Sequence, residues 1–263
     1  MKMKIGVYQS TKKDGTIYYR SSITYKNKHI SLGSYNTEAL AHTAYTEARD
    51  LLSQKQQTID AFSTNALSFE KAISLLNFRD SGIYTSNPIY VQKNYFRYYL
   101  SKDEFLTFDI DDLFYYSNHK IMKRGNHLFV ADYGMQVSIQ SRYGIRSHAK
   151  CGRDYLFKNG DSTDYRYSNI EIINRYHGVT KQTKNAKTTY KAVIHVNGNF
   201  VIGTYSTEEK AAIAYNKAAD ILHANGVTKT YPVNYIEGLP ASKYADLYAN
   251  LKISDKIISY CSQ

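Results

Sequence analysis

Along residues 19–25 and again along 190–196, apolar and polar positions alternate with a period of two. Tyr19, Ser21, Ile23 and Tyr25 share one parity, and Arg20, Ser22 and Thr24 the other. Tyr190, Ala192, Ile194 and Val196 alternate in the same way with Lys191, Val193 and His195. This alternation predicts a half-buried strand in each place. Asn197-Gly198 then predicts a type I′ hairpin, which needs positive φ at both central residues; Lys26-Asn27 is the weaker counterpart. The returning strands are Lys28–Tyr35 and Asn199–Tyr205, and short strands at Gly6–Gln9 and Gly178–Lys181 complete two antiparallel three-stranded meanders. The period then changes. Ala41, Ala44, Tyr45, Ala48, Leu51 and Leu52 recur at helical spacing, as do Ala211, Ala214, Tyr215, Ala218, Ile221 and Leu222. Asn36 and Ser206 are the expected N-caps, with Glu38 and Glu208 near the positive helix ends.

The two stretches are a repeat. Gly33–Leu52 and Gly203–Leu222 are identical at 10 of 20 positions without a gap, 170 residues apart. Such a distance implies two copies of one module flanking something else; solenoid units would stack directly. The alanines keep each helix thin, so it can lie close across a small sheet and cover one face. The other face carries Arg20, Ser22, Thr24, His29 and Ser31 in the first copy. In the second it carries Lys191, Val193, His195, Asn199 and Val201. Most of these are hydrogen-bond donors and acceptors, not the apolar set that a further layer would demand.

The second copy resembles the AP2/ERF DNA-binding domain. The residues that carry the resemblance are Gly178-Val179, Tyr190, Ala192, Ile194, Gly203-Thr204-Tyr205, Thr207-Glu208-Glu209, Ala211-Ala212, Ala214-Tyr215 and Ala218-Ala219. Asn234-Tyr235 resembles the Asn-aromatic pair that closes that domain. The resemblance implies a three-stranded sheet packed on one helix, with the bare face inserted in the DNA major groove. That role then falls on Lys191, Val193, His195, Asn199 and Val201, with Thr180 and Gln182 on the first strand. In the first copy it falls on Tyr8, Ser10, Arg20, Ser22, Thr24, His29 and Ser31. The lysines Lys12, Lys13, Lys26, Lys28, Lys181, Lys184 and Lys187 lie toward hairpin ends, where phosphate contacts are expected.

Between the modules, Ser53–Phe62 is polar and reads as linker, and Asn65–Phe78 has a helical pattern. Lys158–Ile173 resembles the HNH nuclease element of phage and bacterial HNH–AP2 proteins, a hairpin on His-x-Asn-Gly-Asp leading into a helix with two further Asn residues. Asn159-Gly160-Asp161 matches the turn, Ser168-Asn169-Ile170 the closing Asn-Leu, and Phe108–Ser117 the acidic-apolar helix that opens such domains. HNH cleavage needs a His to deprotonate water and ligands for a divalent metal. Here Phe157 stands where the motif has its His and Tyr165 where it has its middle Asn. His148 aligns with no catalytic position. Asp154, Asp161 and Asp164 offer at most a weak metal set and read first as turn formers and caps.

Charge and composition narrow the class. Lys+Arg number 34 against 23 Asp+Glu, a formal net charge of +11, which favours a polyanionic partner. Tyr occurs 27 times and Trp not at all; tyrosines pack their rings and keep a polar tip wet, and some can stack on bases. No apolar run approaches the ~18–20 residues of a membrane span. Met1–Ser10 has lysines without an apolar run behind them, so no secretory leader is expected. Cys151 and Cys261 alone cannot form a disulfide framework or a four-cysteine zinc site, and His127, His148, His177 and His195 lack ligand spacing. No phosphate-binding glycine loop occurs. A reducing cytoplasm is the expected compartment.

The sequence therefore predicts an α+β chain. Its parts are a module at 1–54, a linker and helix at 55–86, a degenerate HNH-like ββα domain at 87–174, a second module at 175–238 and a helical tail at 239–263. The expected function is non-catalytic binding of double-stranded DNA, as a transcriptional regulator would use it, with no cofactor, no metal, no membrane and no small-molecule substrate. Two alternatives stay open: an HNH nicking or homing endonuclease, and an inhibitor protein that sets the same basic surface on a nucleic-acid enzyme.

Overall fold

The computed structural model describes residues 3–54, 57–147 and 149–260. It is a mixed α+β structure of short antiparallel sheets and few helices. The chain divides into two compact units, one running to Ile139 with Asp161–Asn169 added, the other Gln140–Gly160 with Ile170 onward. The range 87–174 is thus shared between them.

The first unit opens with β1 (Val7–Thr11), β2 (Ile17–Tyr25) and β3 (Lys28–Tyr35), in that order in one antiparallel sheet, followed by α1 (Glu38–Ser53). Ile23, Ile30 and Leu32 pack against Ala44, Ala48, Leu51 and Leu52. The helix begins one residue later than expected: Thr37, not Asn36, is the N-cap, its side chain accepting from Leu40 N. Both residue types suit the position, and sequence does not choose between neighbours. Glu38 in the first turn accepts from Lys4 N at 2.9 Å. Lys26 and Asn27 both have positive φ, 45° and 62°, as a type I′ turn requires.

Next comes α2 (Phe69–Ser81), capped by Ser68. Ile73, Leu75, Leu76 and Phe78 join the core of the first module, as do Phe62 and, at its edge, Ile59 from the stretch read as linker. Glu47 accepts from the backbone of Asn65, Ala66 and Leu67, and Arg79 donates to the carbonyls of Leu51, Gln54 and Gln57. The stretch read as linker is thus tied to the module at Gln54 and Gln57 through Arg79, and at Ile59 and Phe62 through the core.

β4 (Ile89–Val91), β5 (Tyr95–Tyr99) and β6 (Phe105–Asp109) form a second sheet; a single helical turn and α3 (Leu113–Asn118) follow. The helix expected over 108–117 therefore starts as strand, because alternating Leu106 and Phe108 are buried against this sheet's own aromatic core. Phe108 stacks on Tyr116 at 4.2 Å and on Tyr165 at 5.7 Å, and Phe96 lies 5.4 Å from Phe108. Several of the many tyrosines are spent here on packing. Burial pushes the Tyr98 hydroxyl up to about 12 while it accepts from Ile121 N at 3.0 Å. β7 (Ile121–Arg124), β8 (His127–Asp132) and β9 (Met135–Ser138) make a third sheet.

In the second unit β10 (Tyr155–Phe157) pairs antiparallel with β11 (Ile170–Ile172). The turn expected at Asn159-Gly160-Asp161 forms, with Gly160 at φ +78° and its N–H donating to Phe157 O at 2.9 Å. The helix expected after it does not: residues 161–169 carry none, and Asn169-Ile170 enters β11. Backbone bonds from Thr107 N to Thr163 O and from Tyr165 N to Thr107 O run this segment beside β6 in the first unit. Partners along a strand edge compete with the local i to i−4 bonds a helix would need.

β12 (Val179–Lys184), β13 (Lys187–His195) and β14 (Asn199–Tyr205) repeat the meander, and α4 (Glu208–Ala224) repeats the helix, N-capped by Thr207 and not Ser206. Ala192, Ile194 and Ile202 pack on Ala211, Ala214, Ala218 and Leu222. The Asn197-Gly198 expectation fails in detail. Neither residue has positive φ, and residues 196–198 form a three-residue loop closed by Val196 N to Gly198 O at 3.0 Å. The type I′ geometry lies instead at Asn185-Ala186, φ 48° and 59°. Buried Asn234 exchanges bonds with Asn216 and with His177, fixing the chain behind α4. α5 (Ala241–Asn250) and α6 (Asp255–Ile258) complete the unit. Tyr248 donates to Asp220, Asn216 to the Tyr244 hydroxyl, and Lys217 to Leu251 O, which seats the tail on α4.

Candidate nucleic-acid interface

Two glycine–tyrosine contacts, present in both modules, set the shape of the sheets. Gly6 and Gly178 have φ of +76° and +66°, and a Cβ at either would enter the ring of Tyr45 or Tyr215. Helix and first strand can therefore meet only through glycine. Gly33 and Gly203 lie under Tyr35 and Tyr205, whose hydroxyls would stand 3.1 and 2.6 Å from a Cβ there. Ser22 N donates to Gly6 O at 3.0 Å, and Val193 N to Gly178 O at 2.8 Å, extending the pairing of first and second strands.

The register then fixes what each outer face presents. In the first module Tyr8 stands opposite Arg20 and Ser10 opposite Tyr18; Ser22 faces Ser31 and Thr24 faces His29. In the second, Thr180 faces Lys191, Gln182 faces Thr189, Val193 faces Val201 and His195 faces Asn199. All fourteen residues singled out on the two faces occupy these outer registers. Superposed by register, Arg20 corresponds to Lys191, Ser22 to Val193, Thr24 to His195 and His29 to Asn199. A cross-strand side-chain bond recurs at the last pair: Thr24 Oγ1 with His29 Nδ1 at 3.5 Å, His195 Nδ1 with Asn199 Oδ1 at 3.0 Å. Ser22 is the exception in exposure, being buried between its neighbours.

Both modules carry a bulge that strict alternation misses. Ser21 faces Gly33 while Ser22 faces Ser31, so Leu32 is the extra residue; Ile202 is its counterpart between Gly203 and Val201. The bulge turns Leu32 and Tyr35 inward and brings exposed Ser34 opposite Arg20, and exposed Thr204 opposite Lys191. Ser34 and Thr204 therefore belong to the outer faces, although period-two counting from His29 or Asn199 omits them.

The lysines divide. Lys12, Lys13, Lys181, Lys184 and Lys187 are exposed, with Lys184 and Lys187 flanking the Asn185-Ala186 turn. Lys26 is also engaged within the first unit: its Nζ donates to the carbonyls of Phe78 and Arg79 at the end of α2 and lies over the Tyr25 and Phe78 rings. The negative end of a helix accounts for that placement. Lys28 is exposed, with its Nζ 4.9 Å from the Tyr84 ring centroid.

Each face is hollowed. In the first module a cavity of about 400 Å³ is lined by Tyr8, Arg20, Ser21, Ser22, His29 and Ser31, all from the sheet itself. Buried Ser21 Oγ has no hydrogen-bond partner there. In the second a cavity of about 410 Å³ is lined by Val179, Thr180, Val193, His195 and Asn199 from the sheet and by His177 and Gly178 just before it. It also has a wall, made by Arg146, Ser147, Ala149, Arg153 and Asp154.

The positions that would carry nuclease chemistry are packed. Phe157 and Tyr165 are buried, in the second and first unit respectively. Burial alone would raise the Asp154 carboxyl, but Arg153, Lys150 N and the Asn174 amide hold it below its ordinary value. Asp164 is paired with Arg166 at 2.6 Å, and Asp161 accepts from Thr163 N and Oγ1. Among the described residues, no group of three or more His, Cys, Asp or Glu is placed to hold a metal ion, and no helix is long and apolar enough to cross a membrane. Cys151 is exposed; His148 and Cys261 lie outside the described residues. A scan against protein-family models and searches of curated proteins and of solved structures returned no match.

Proposed function

We propose that this chain binds double-stranded DNA without cleaving it, and acts by occupying its sites, as a transcriptional regulator does. One observation carries the reading: an outer sheet face of donors and acceptors, opposite an alanine-lined helix, occurs twice in matching register. A B-DNA major groove about 12 Å wide admits such a β-element and presents a distinct donor and acceptor pattern for each base pair. The AP2/ERF resemblance implies the same use. The net charge of +11 supplies the long-range attraction. Two reading faces on one chain raise the effective concentration of the second once the first is bound.

Selection of bound duplexes from a random pool tests this directly. Arg20 can make a bidentate contact with guanine O6 and N7, which discriminates by about 1–3 kcal/mol. Arg20→Ala and His195→Ala should each relax the selected sequence as well as weaken binding. Lys13→Ala and Lys184→Ala, on hairpin ends, should weaken all sequences alike. Unchanged preference in both outer-face variants would show that the wrong side of the sheet has been assigned.

The non-catalytic part has its own test. With supercoiled plasmid and magnesium or manganese, the plasmid should stay supercoiled. Nicking that follows the purified protein and vanishes in an Asp161→Ala, Asp164→Ala double variant would establish the endonuclease alternative instead.

A further inference from the structure

The two outer faces are not equivalent: the second has a wall that carries two arginines. The first module's cavity has only sheet residues for its lining. The second has a wall that brings Arg146 and Arg153 beside Thr180, His177 and His195. Arg153 is engaged by Asp154, which its Nη2 meets at 2.6 Å. Arg146 is not: among the described residues it has no carboxylate salt bridge, and its Nη2 donates to Asn174 O at 2.9 Å. It is also half-buried, and burial pushes its guanidinium below the ordinary value against the pull of Asp154.

A planar fork of donors withdrawn from water suits a phosphate: it can bond two oxygens at once, and screening is weaker than at an exposed lysine. The Thr180 hydroxyl, on the same cavity, adds a donor.

We propose that the walled cavity is a phosphate site, in which Arg146 holds one backbone phosphate of bound DNA against the second module. The inference rests on the duplex-binding reading and assigns the second module an anchor that the first lacks. Base reading by His195 and backbone holding by Arg146 would then share one cavity. Arg146 would act without regard to sequence.

The test uses the full chain with Arg146→Gln and Arg146→Lys. Arg146→Gln should weaken binding to the selected duplex and to random duplex by the same factor, on the order of tenfold, and make the slope of log K against log salt shallower by about one. Arg146→Lys should keep the slope and lose less affinity. In parallel, inorganic phosphate is titrated into the wild type and followed by amide chemical shifts of Thr180 and His195. Those shifts should move in the wild type and stay still in Arg146→Gln. Wild-type affinity and slope in Arg146→Gln, or a loss confined to the selected site, overturns the phosphate site. If Arg146→Gln fails to fold, the wild-type titration and the Lys variant decide, and still amides overturn the proposal. A wild type that binds no duplex, yet shows the phosphate shifts, overturns the DNA reading and leaves the anion site standing.

Discussion

Gly178→Ala should unfold the second module under conditions where the wild type is folded. The substitution sets a Cβ against both the Tyr215 ring and the Val193 carbonyl oxygen at a φ of +66°. The left-handed conformation costs roughly 1–2 kcal/mol for an L side chain and forced overpacking another 1–3, so a loss on the order of 2–5 kcal/mol is expected. That is a large share of the ~5–15 kcal/mol that holds a domain folded. Gly15→Ala is the matched control: φ is +85° and a Cβ there meets nothing within 4 Å, so only the backbone term applies. Denaturant unfolding followed by circular dichroism reads the difference. Equal losses in the two variants would mean that the Gly178–Tyr215 contact does not set the distance between helix and sheet.

Binding to duplex DNA should collapse as salt rises. Each phosphate neutralised contributes about −0.9 to the slope of log K against log salt, so six or seven contacts from two modules give a slope near −6. Between 50 and 200 mM salt this is a loss of roughly 10³-fold or more. Titration on random and on selected duplex, at fixed pH, measures it. A flat response would mean that the basic charge meets no phosphate array, and would favour the reading in which the partner is a protein.

The repeated modules were legible because each residue in them has one environment. Period-two alternation in 19–25 and 190–196 separates a helix-covered side from an outer side, and the chain obeys it. What escaped was local competition. Asn36 and Thr37, like Ser206 and Thr207, are adjacent residues that both suit an N-cap, and only the helix geometry chooses. The bulges at Leu32 and Ile202 shift the parity by one, which hid Ser34 and Thr204. Between the modules the pattern misled more. Phe108 belongs to a strand paired in a hairpin with β5 just before it, and 161–169 finds backbone partners on β6 in place of a helix. Arg146 had no signal at all, since its place at the second cavity depends on how 140–160 returns to β11.

The division of the chain has a consequence for taking the protein apart. The polypeptide passes from one unit to the other at 139/140, at 160/161 and again at 169/170. A protease that cuts at any one of these crossings leaves the units joined through the other two. No stretch of consecutive residues contains either unit whole without carrying part of its neighbour. Dissection by truncation at the edge of a repeat, for example at residue 175, would strip the second sheet of the wall that bears Arg146. The two modules are thus copies in sequence but not separable parts, and their contributions are better resolved by point substitution than by cutting.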